Sequence, residues 1–358
     1  MEYLRILAEN PRFLVVPALV AAGAMYLSRD TLRFWFRQTT AAFPITNIWH
    51  YQDFTEYDIP NDLSDKVVLI TGASSGIGFE SARILASRGA KVVVGIRGSR
   101  ERLDKITSSM PGQVLAPAPL DLSDYDSVRT FVGSLPKAGI DHFDIVLLNA
   151  GKWYETYEAN KEGIELMLAA HHLGHAYLFE LLTPMLLRSP GEVRVVITGS
   201  SAHVFSYPEG IRYNVTEECF KPMPAYGNSK LANLLYTREL SARIEEKYPN
   251  KFKVNAVHPG MVSTNLGPLL SKFPRIMTYD ATQGAVTLLR PAVDTEAGGD
   301  GYYLPVGYRG DWQKDSAYWW TCNDTMRNEF WEWTKTVLRK VHTDAKGEAP
   351  KRSLMLDE

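Results

Sequence analysis

Tyr226 and Lys230, in the run Tyr226-Gly-Asn-Ser-Lys230, form the most chemically suggestive pair in this chain. On a helix, positions i and i+4 share a face, so phenol and ammonium would stand together. A phenol with a pKa near 10 is a poor acid–base group at neutral pH, and a nearby ammonium favours its ionised form. A shift of ~3 units corresponds to ~4 kcal/mol of differential stabilisation. The run Val195-Val-Ile-Thr-Gly-Ser200 precedes the pair. A serine ending that strand could hydrogen-bond a substrate oxygen beside Tyr226. The competing reading is a turn serine, and Ser201 is the neighbouring candidate.

A glycine-rich stretch, Thr71-Gly72-Ala73-Ser74-Ser75-Gly76-Ile77-Gly78, lies far upstream between a β-branched run and a helical pattern. There Gly72 permits a sharp turn, Gly76 lets backbone approach a pyrophosphate, and Gly78 lets the helix pack close to the sheet. The helix N-terminus then faces the phosphates. At the end of the next strand a carboxylate would accept from an adenosine 2'-hydroxyl, whereas an arginine would pair with a 2'-phosphate. The sequence there is Gly95-Ile96-Arg97-Gly98, with Ser99 and Arg100 following. This favours NADP (NADPH), with Ser99 and Arg100 as assistants; in the alternative, Arg97 is a solvated surface charge.

The elements that would hold these residues alternate. Apolar, β-branched runs at 66–71, 91–96, 114–120, 144–148, 193–198 and 253–257 read as buried parallel strands. Helical patterns separate several of them, at 79–88, 125–135, 163–187 and 229–247. The expected fold class is α/β, a doubly wound parallel sheet of the Rossmann type, in a single domain with an N-terminal hydrophobic segment. The expected boundaries are a hydrophobic segment at 1–38, a linker at 39–62, a catalytic domain at 63–342 and a charged tail at 343–358, disordered from about Thr343.

Together these motifs make the chain resemble the short-chain dehydrogenase/reductase family, nearest its retinol-dehydrogenase-like branch, over roughly 63–337. The insert between Ser200 and Tyr226 and the Phe-Trp-Glu-Trp-Thr stretch around Trp331 fit that branch. The resemblance implies an oxidoreductase with Ser200, Tyr226 and Lys230 as catalytic residues. It also implies that Asp121 and Leu122 face adenine, and that Asn149, Ala150 and Gly151 support the cofactor. Within His258-Pro259-Gly260-Met261-Val262-Ser263-Thr264, Val262 and Thr264 would hold the nicotinamide amide. Two positions depart from the pattern. Leu148 replaces the first of a paired asparagine, and His171, in His171-His-Leu-Gly-His175, stands where an asparagine that helps hold a relay water is expected. His171 could offer its carbonyl to that water or relay protons itself. No third ligand accompanies His171 and His175, so no metal is assigned.

Val204, Phe205, Tyr207, Tyr213, Phe220 and Met223, and then Leu266, Leu269, Leu270, Phe273, Ile276 and Met277, would border a substrate cleft by family analogy, although ordinary packing accounts for many of them. The expected substrate is a small lipophilic carbonyl or alcohol: retinoid, steroid, fatty aldehyde, or polyketide or terpenoid intermediate. Two alternatives stay open: a carbon–carbon double-bond reductase on the same fold, or a membrane-tethered interaction protein with a decayed site.

The chain has 358 residues, 45% of them hydrophobic, and a formal net charge of -2, so no basic patch argues for nucleic acid. Cys219 and Cys322 match no zinc or redox spacing and read as ordinary thiols. Residues 13–27 carry no charge, and as a helix they would span roughly 22 Å, short of a ~30 Å hydrocarbon core. They read as a membrane anchor or monotopic insertion, with a hydrophobic helix packed on the domain as the alternative. Arg29, Arg33 and Arg37 after the run lean towards a cytosol-facing catalytic domain, at the endoplasmic reticulum. Assembly into a homo-oligomer is compatible with the sequence.

Overall fold

The computed structural model describes residues 54–264, 266, 278–345 and 353–356. Eight strands form one sheet: β1 (Val67–Thr71), β2 (Lys91–Gly95), β3 (Gln113–Leu115), β4 (Ile145–Leu148), β5 (Val193–Thr198), β6 (Phe252–Val257), β7 (Gly301–Leu304) and β8 (Tyr308–Gly310). Their order is β3-β2-β1-β4-β5-β6-β7-β8, parallel throughout except for the antiparallel β7–β8 hairpin at one edge. The order reverses between β1 and β4, and both faces are covered by helices. The fold is therefore the doubly wound α/β sheet that the alternating sequence pattern predicts.

The helices are α1 (Gly76–Ser87), α2 (Arg100–Thr107), α3 (Tyr125–Ser134), α4 (Leu166–Leu168), α5 (Gly174–Leu186), α6 (Pro222–Lys247), α7 (Ala281–Val293), α8 (Trp312–Asp315), α9 (Tyr318–Thr321) and α10 (Asp324–Asp344). Apolar residues of α1 and α7 form one core with β1 and β2, including Ile84, Leu85, Leu288 and Leu289. Helices α3, α5, α6 and α10 supply the other, through Phe131, Tyr177, Leu235 and Phe330. Each central strand is buried on both faces, which explains its unbroken apolar run.

The stretch 163–187, read as one helix, is broken: α4 and α5 are joined by a π-helical turn, Ala169–Leu173, which carries His171 and His172. The run 114–120 supplies only the three-residue edge strand β3. Helix α7 and strands β7 and β8 were not foreseen from periodicity. Residues 54–62, placed in a linker, pack on the body instead, with Phe54 and Ile59 buried. The C-terminal expectation also needs correcting. Helix α10 runs on to Asp344, and residues 353–356 are docked, with Met355 and Leu356 in the core beside Leu338. Glu180 accepts from the backbone N–H groups of Leu354 and Met355 at 2.8 and 3.0 Å. Lys247 donates to the Ser353 carbonyl at 2.5 Å. Buried apolar side chains and paired backbone groups outweigh the charged character of the surrounding residues.

Among the described residues no helix is long and apolar enough to cross a membrane. The run at 13–27, the three arginines after it, and Leu269, Leu270, Phe273, Ile276 and Met277 lie outside the described residues.

Candidate active site

The C-terminal ends of β1, β2, β4, β5 and β6 open into one cleft of about 750 Å³. The phosphate loop forms its floor. Gly72 has φ +74°, and a side chain there would come within 2.7 Å of the Ala150 Cα. A side chain at Gly78 would meet the Gly72 carbonyl at 2.5 Å, so the loop can lie this close to α1 only with glycine at both positions. Ser74, Ser75, Gly76 and Ile77 line the same end, and Ser75 is the N-cap of α1. An open backbone cradle at a helix N-terminus, beneath a cleft of this size, fits a dinucleotide pyrophosphate.

Further along the cleft lie Asp121 and Leu122, then Asn149, Ala150 and Gly151, then Pro259, Gly260, Val262 and Thr264. Apart from Ser99 and Arg100, every residue assigned to the cofactor from the sequence lines this one cavity. Thr264 reaches over the phosphate loop: its Cγ2 is 2.9 Å from where a Gly76 Cβ would sit. Arg97 faces Asp121 at this end of the cleft, with 3.7 Å between guanidinium and carboxylate. The assistants differ from the expectation. Arg100 turns away to pair with Asp104 and donate to the Ala116 carbonyl at 2.7 Å, and Ser99 bonds Glu101. Arg102, two positions on and so on the opposite side of α2, lines the cleft instead.

At the other end, the first turns of α6 carry Tyr226 and Lys230 beside Ser200. The Ser200 hydroxyl hydrogen-bonds the Tyr226 phenol. It also accepts from the Ala202 N–H at 3.1 Å, which fixes its rotamer as an N-cap. Lys230 donates to the Thr198 carbonyl at 3.1 Å, and its Nζ is 5.6 Å from the Tyr226 ring centre. Contrary to the expectation of an ammonium-lowered phenol, burial pushes Tyr226 up to about 12, and only the Ser200 hydrogen bond pulls it back. Burial also brings Lys230 down to about 8. The phenol is thus protonated at neutral pH, the form that can give up a proton.

His171 is engaged at both ring nitrogens and at its carbonyl. Its Nε2 accepts from the Lys152 N–H at 2.9 Å, its carbonyl is taken by His175 at 2.8 Å, and burial holds its pKa well below 6.5. The substrate side is apolar. Trp153 stands over Tyr226 with ring centres 5.3 Å apart; its backbone N–H donates to the Leu266 carbonyl at 3.0 Å and its indole N–H to Glu155 at 2.8 Å. Tyr154, Val204, Phe205, Met223 and Leu266 complete the wall, and Ser201 lies beside Ser200. Of the other expected residues, Tyr207 is buried, Tyr213 stacks on Phe330, and Phe220 packs against Tyr157 outside the cleft lining. Trp153 carried no sequence signal, since its place over Tyr226 depends on contact between two distant segments.

Buried histidines give this fold an acid limit. Burial holds His172 and His258 to about 3, His175 and His203 to about 4, and His171 well below 6.5. Unfolded imidazoles take up protons near pH 6.5, so below that the unfolded state binds more protons and stability falls with pH. Glu165 and Glu180, both raised to about 7 by burial, act the opposite way between about 4.5 and 7, because the fold keeps their protons. The histidines outnumber them, and each net proton changes stability by about 1.4 kcal/mol per pH unit. Urea midpoints measured from pH 7 down to 4.5 should therefore fall steadily; a constant or rising midpoint would contradict the neutral histidines.

A family model described as short chain dehydrogenase matches residues 66–275. The chloroplastic short-chain dehydrogenase TIC 32 B of Brassica napus is 34% identical over 223 residues, 59% of this chain and 69% of that protein. Mouse retinol dehydrogenase 14 is 33% identical over 232 residues, 60% of this chain and 67% of that protein. A crystal structure of a protein from Mycobacterium paratuberculosis superposes with a TM-score of 0.62 at 29% identity, covering 83% of this chain and 99% of that one. Cleft, helix order and sequence matches agree that this chain is an oxidoreductase-type member of the short-chain dehydrogenase/reductase family, with a retinol dehydrogenase among its relatives.

Proposed function

We propose that this protein transfers a hydride between NADP(H) and a lipophilic carbonyl or alcohol, with Tyr226 giving or taking the proton. The observation that carries this reading is the polarity of the cleft from end to end. Arg97 and Arg102 flank the adenine end, a glycine cradle follows, and the Ser200–Tyr226–Lys230 group sits under an apolar wall headed by Trp153. The guanidinium of Arg97 supports a 2'-phosphate. The wall supports an apolar substrate, as does the name of the mouse retinol dehydrogenase relative.

When bound, the cofactor supplies or accepts the hydride. The chain does the rest. The hydroxyls of Ser200 and Tyr226 lie side by side in the cleft, where they can orient a carbonyl oxygen and stabilise charge developing on it. The phenol, kept protonated at neutral pH by burial, delivers its proton to that oxygen as it becomes an alkoxide, and Lys230 lends positive charge beside the ring. In alcohol oxidation the same proton returns to the phenolate. A screen of lipophilic aldehydes, ketones and alcohols with NADPH, NADH and their oxidised forms, followed by nicotinamide absorbance, tests the proposal. Turnover confined to hydrophilic substrates or to NADH would refute it.

We infer as well that residues 1–38 anchor the protein to the endoplasmic reticulum membrane with the catalytic domain facing the cytosol. The uncharged run 13–27 and Arg29, Arg33 and Arg37 support this. Deleting 1–38 should move the protein from the membrane pellet to the supernatant. Asn214 and Asn323, both exposed and both in Asn-X-Thr sequons, should carry no glycan when the full chain is expressed in a eukaryotic host. A glycan at either site would overturn the orientation, and a truncated chain that still pellets would overturn the anchor.

A further inference from the structure

His171 and His175 are fully buried, and their hydrogen bonds fix which nitrogen of each ring carries the proton. The Lys152 N–H can only donate, so His171 Nε2 must accept it, at 2.9 Å. The neutral ring then has its proton on Nδ1, which donates to Ser229 Oγ at 2.9 Å. Ser229 in turn donates to the Tyr226 carbonyl at 2.8 Å. The His171 carbonyl can only accept, so His175 Nδ1 donates to it at 2.8 Å. That leaves His175 Nε2 to accept from the Thr71 hydroxyl, at 2.8 Å. Thr71 Oγ1 finally accepts the N–H groups of Asn149 and Ala150 at 2.9 and 3.0 Å. Every bond in the set has one consistent donor and one consistent acceptor.

The set links three separated pieces of the site. Thr71 ends β1 at the phosphate loop, residues 149–152 form the cofactor-side loop after β4, and Tyr226 with Ser229 opens the catalytic helix α6. The π-helical turn Ala169–Leu173 sets His171 between them. A Cβ at Gly151 would lie 3.6 Å from both His171 Nε2 and Lys230 Nζ, so the bridge ends directly behind the catalytic lysine. Thr71, His171, His175 and Ser229 are buried, so severing the bridge among them leaves a buried polar group without its partner at the cofactor wall.

We propose that His171 is a positioning residue: with His175 behind it, its imidazole bridges the cofactor-side loop 149–152 to the catalytic helix at Ser229 and Tyr226, and so holds the cofactor subsite in register with the phenol. The inference rests on the reading of this cleft as a nicotinamide site. An aspartate or asparagine is too short to span both partners, and a leucine can make neither bond. A glutamine carries an acceptor oxygen and a donor nitrogen on one amide and can serve both Lys152 and Ser229.

The test uses the full chain, with NADPH and NADH as probes and quenching of protein fluorescence as the readout of affinity. His171→Leu should weaken the preferred cofactor by about 10-fold or more, the scale of a stranded buried hydrogen-bonding group. Glutamine at the same position, His171→Gln, should restore affinity to within about 3-fold of wild type. Ser229→Ala breaks the bridge at its far end on a helix that tolerates alanine, and should weaken binding in the same direction if His171→Leu does not fold. A merely structural histidine would lower Tm in both His171 variants while the folded protein bound cofactor normally, and that result overturns the proposal. So does a glutamine variant no better than leucine. Failure of the wild-type chain to bind either cofactor would instead overturn the nicotinamide reading, which separates the two failures.

Discussion

Tyr226→Phe is expected to lower kcat by about 10³-fold, the usual worth of a positioned proton-transfer group, while leaving cofactor affinity near wild type. The substitution removes one oxygen whose hydrogen-bonding partner is the Ser200 hydroxyl. The ring keeps its contacts with Trp153 and with His171, whose ring centres lie 5.3 and 6.0 Å away. The cost in stability should therefore stay near 1 kcal/mol, the scale of a single hydrogen bond. Steady-state kinetics on whichever carbonyl the screen identifies, together with cofactor titration and thermal melting, would separate loss of chemistry from loss of fold. Turnover like that of the wild type would remove Tyr226 from the proton-transfer role.

Arg97→Ala is expected to weaken NADPH binding by roughly 10- to 150-fold, equivalent to about 1.5–3 kcal/mol for a charge-assisted contact to phosphate. NADH should be affected far less. The ion-pair geometry sharpens this contrast. With Arg97 gone, the Asp121 carboxylate, now 3.7 Å from the guanidinium, would lose that partner. It would repel a 2'-phosphate and could accept from a 2'-hydroxyl, so the variant's preference should move towards NADH. Titrating both reduced cofactors into wild type and variant measures the ratio directly. Equal losses for the two would mean that Arg97 is no more than a surface charge pairing with Asp121.

The sequence by itself determined the parts whose signals are local. Six apolar runs alternating with helical patterns were enough to predict the parallel doubly wound sheet, because a strand buried on both faces must be apolar throughout and parallel neighbours require crossovers. The phosphate loop was legible because Gly72 and Gly78 occupy positions where a side chain would collide with backbone. Tyr226 and Lys230 were legible because helix periodicity alone puts them on one face. The tertiary structure decided what depends on distant partners or on helix phase. Arg102, not Arg100, reaches the cleft because α2 starts at residue 100 and turns the first arginine towards Asp104. Residues 353–356 are held although the chain around them is charged, because Glu180, far away on α5, accepts two of their N–H groups. The protonation of Tyr226 followed burial and not its spacing from Lys230, since removing a phenol from water disfavours its anion whatever lies one turn along. His171 looked like a missing relay residue. Its role depended on which groups its two nitrogens met, and those groups, Lys152 and Ser229, are brought together only when the loop after β4 and the catalytic helix close around the π-helical turn.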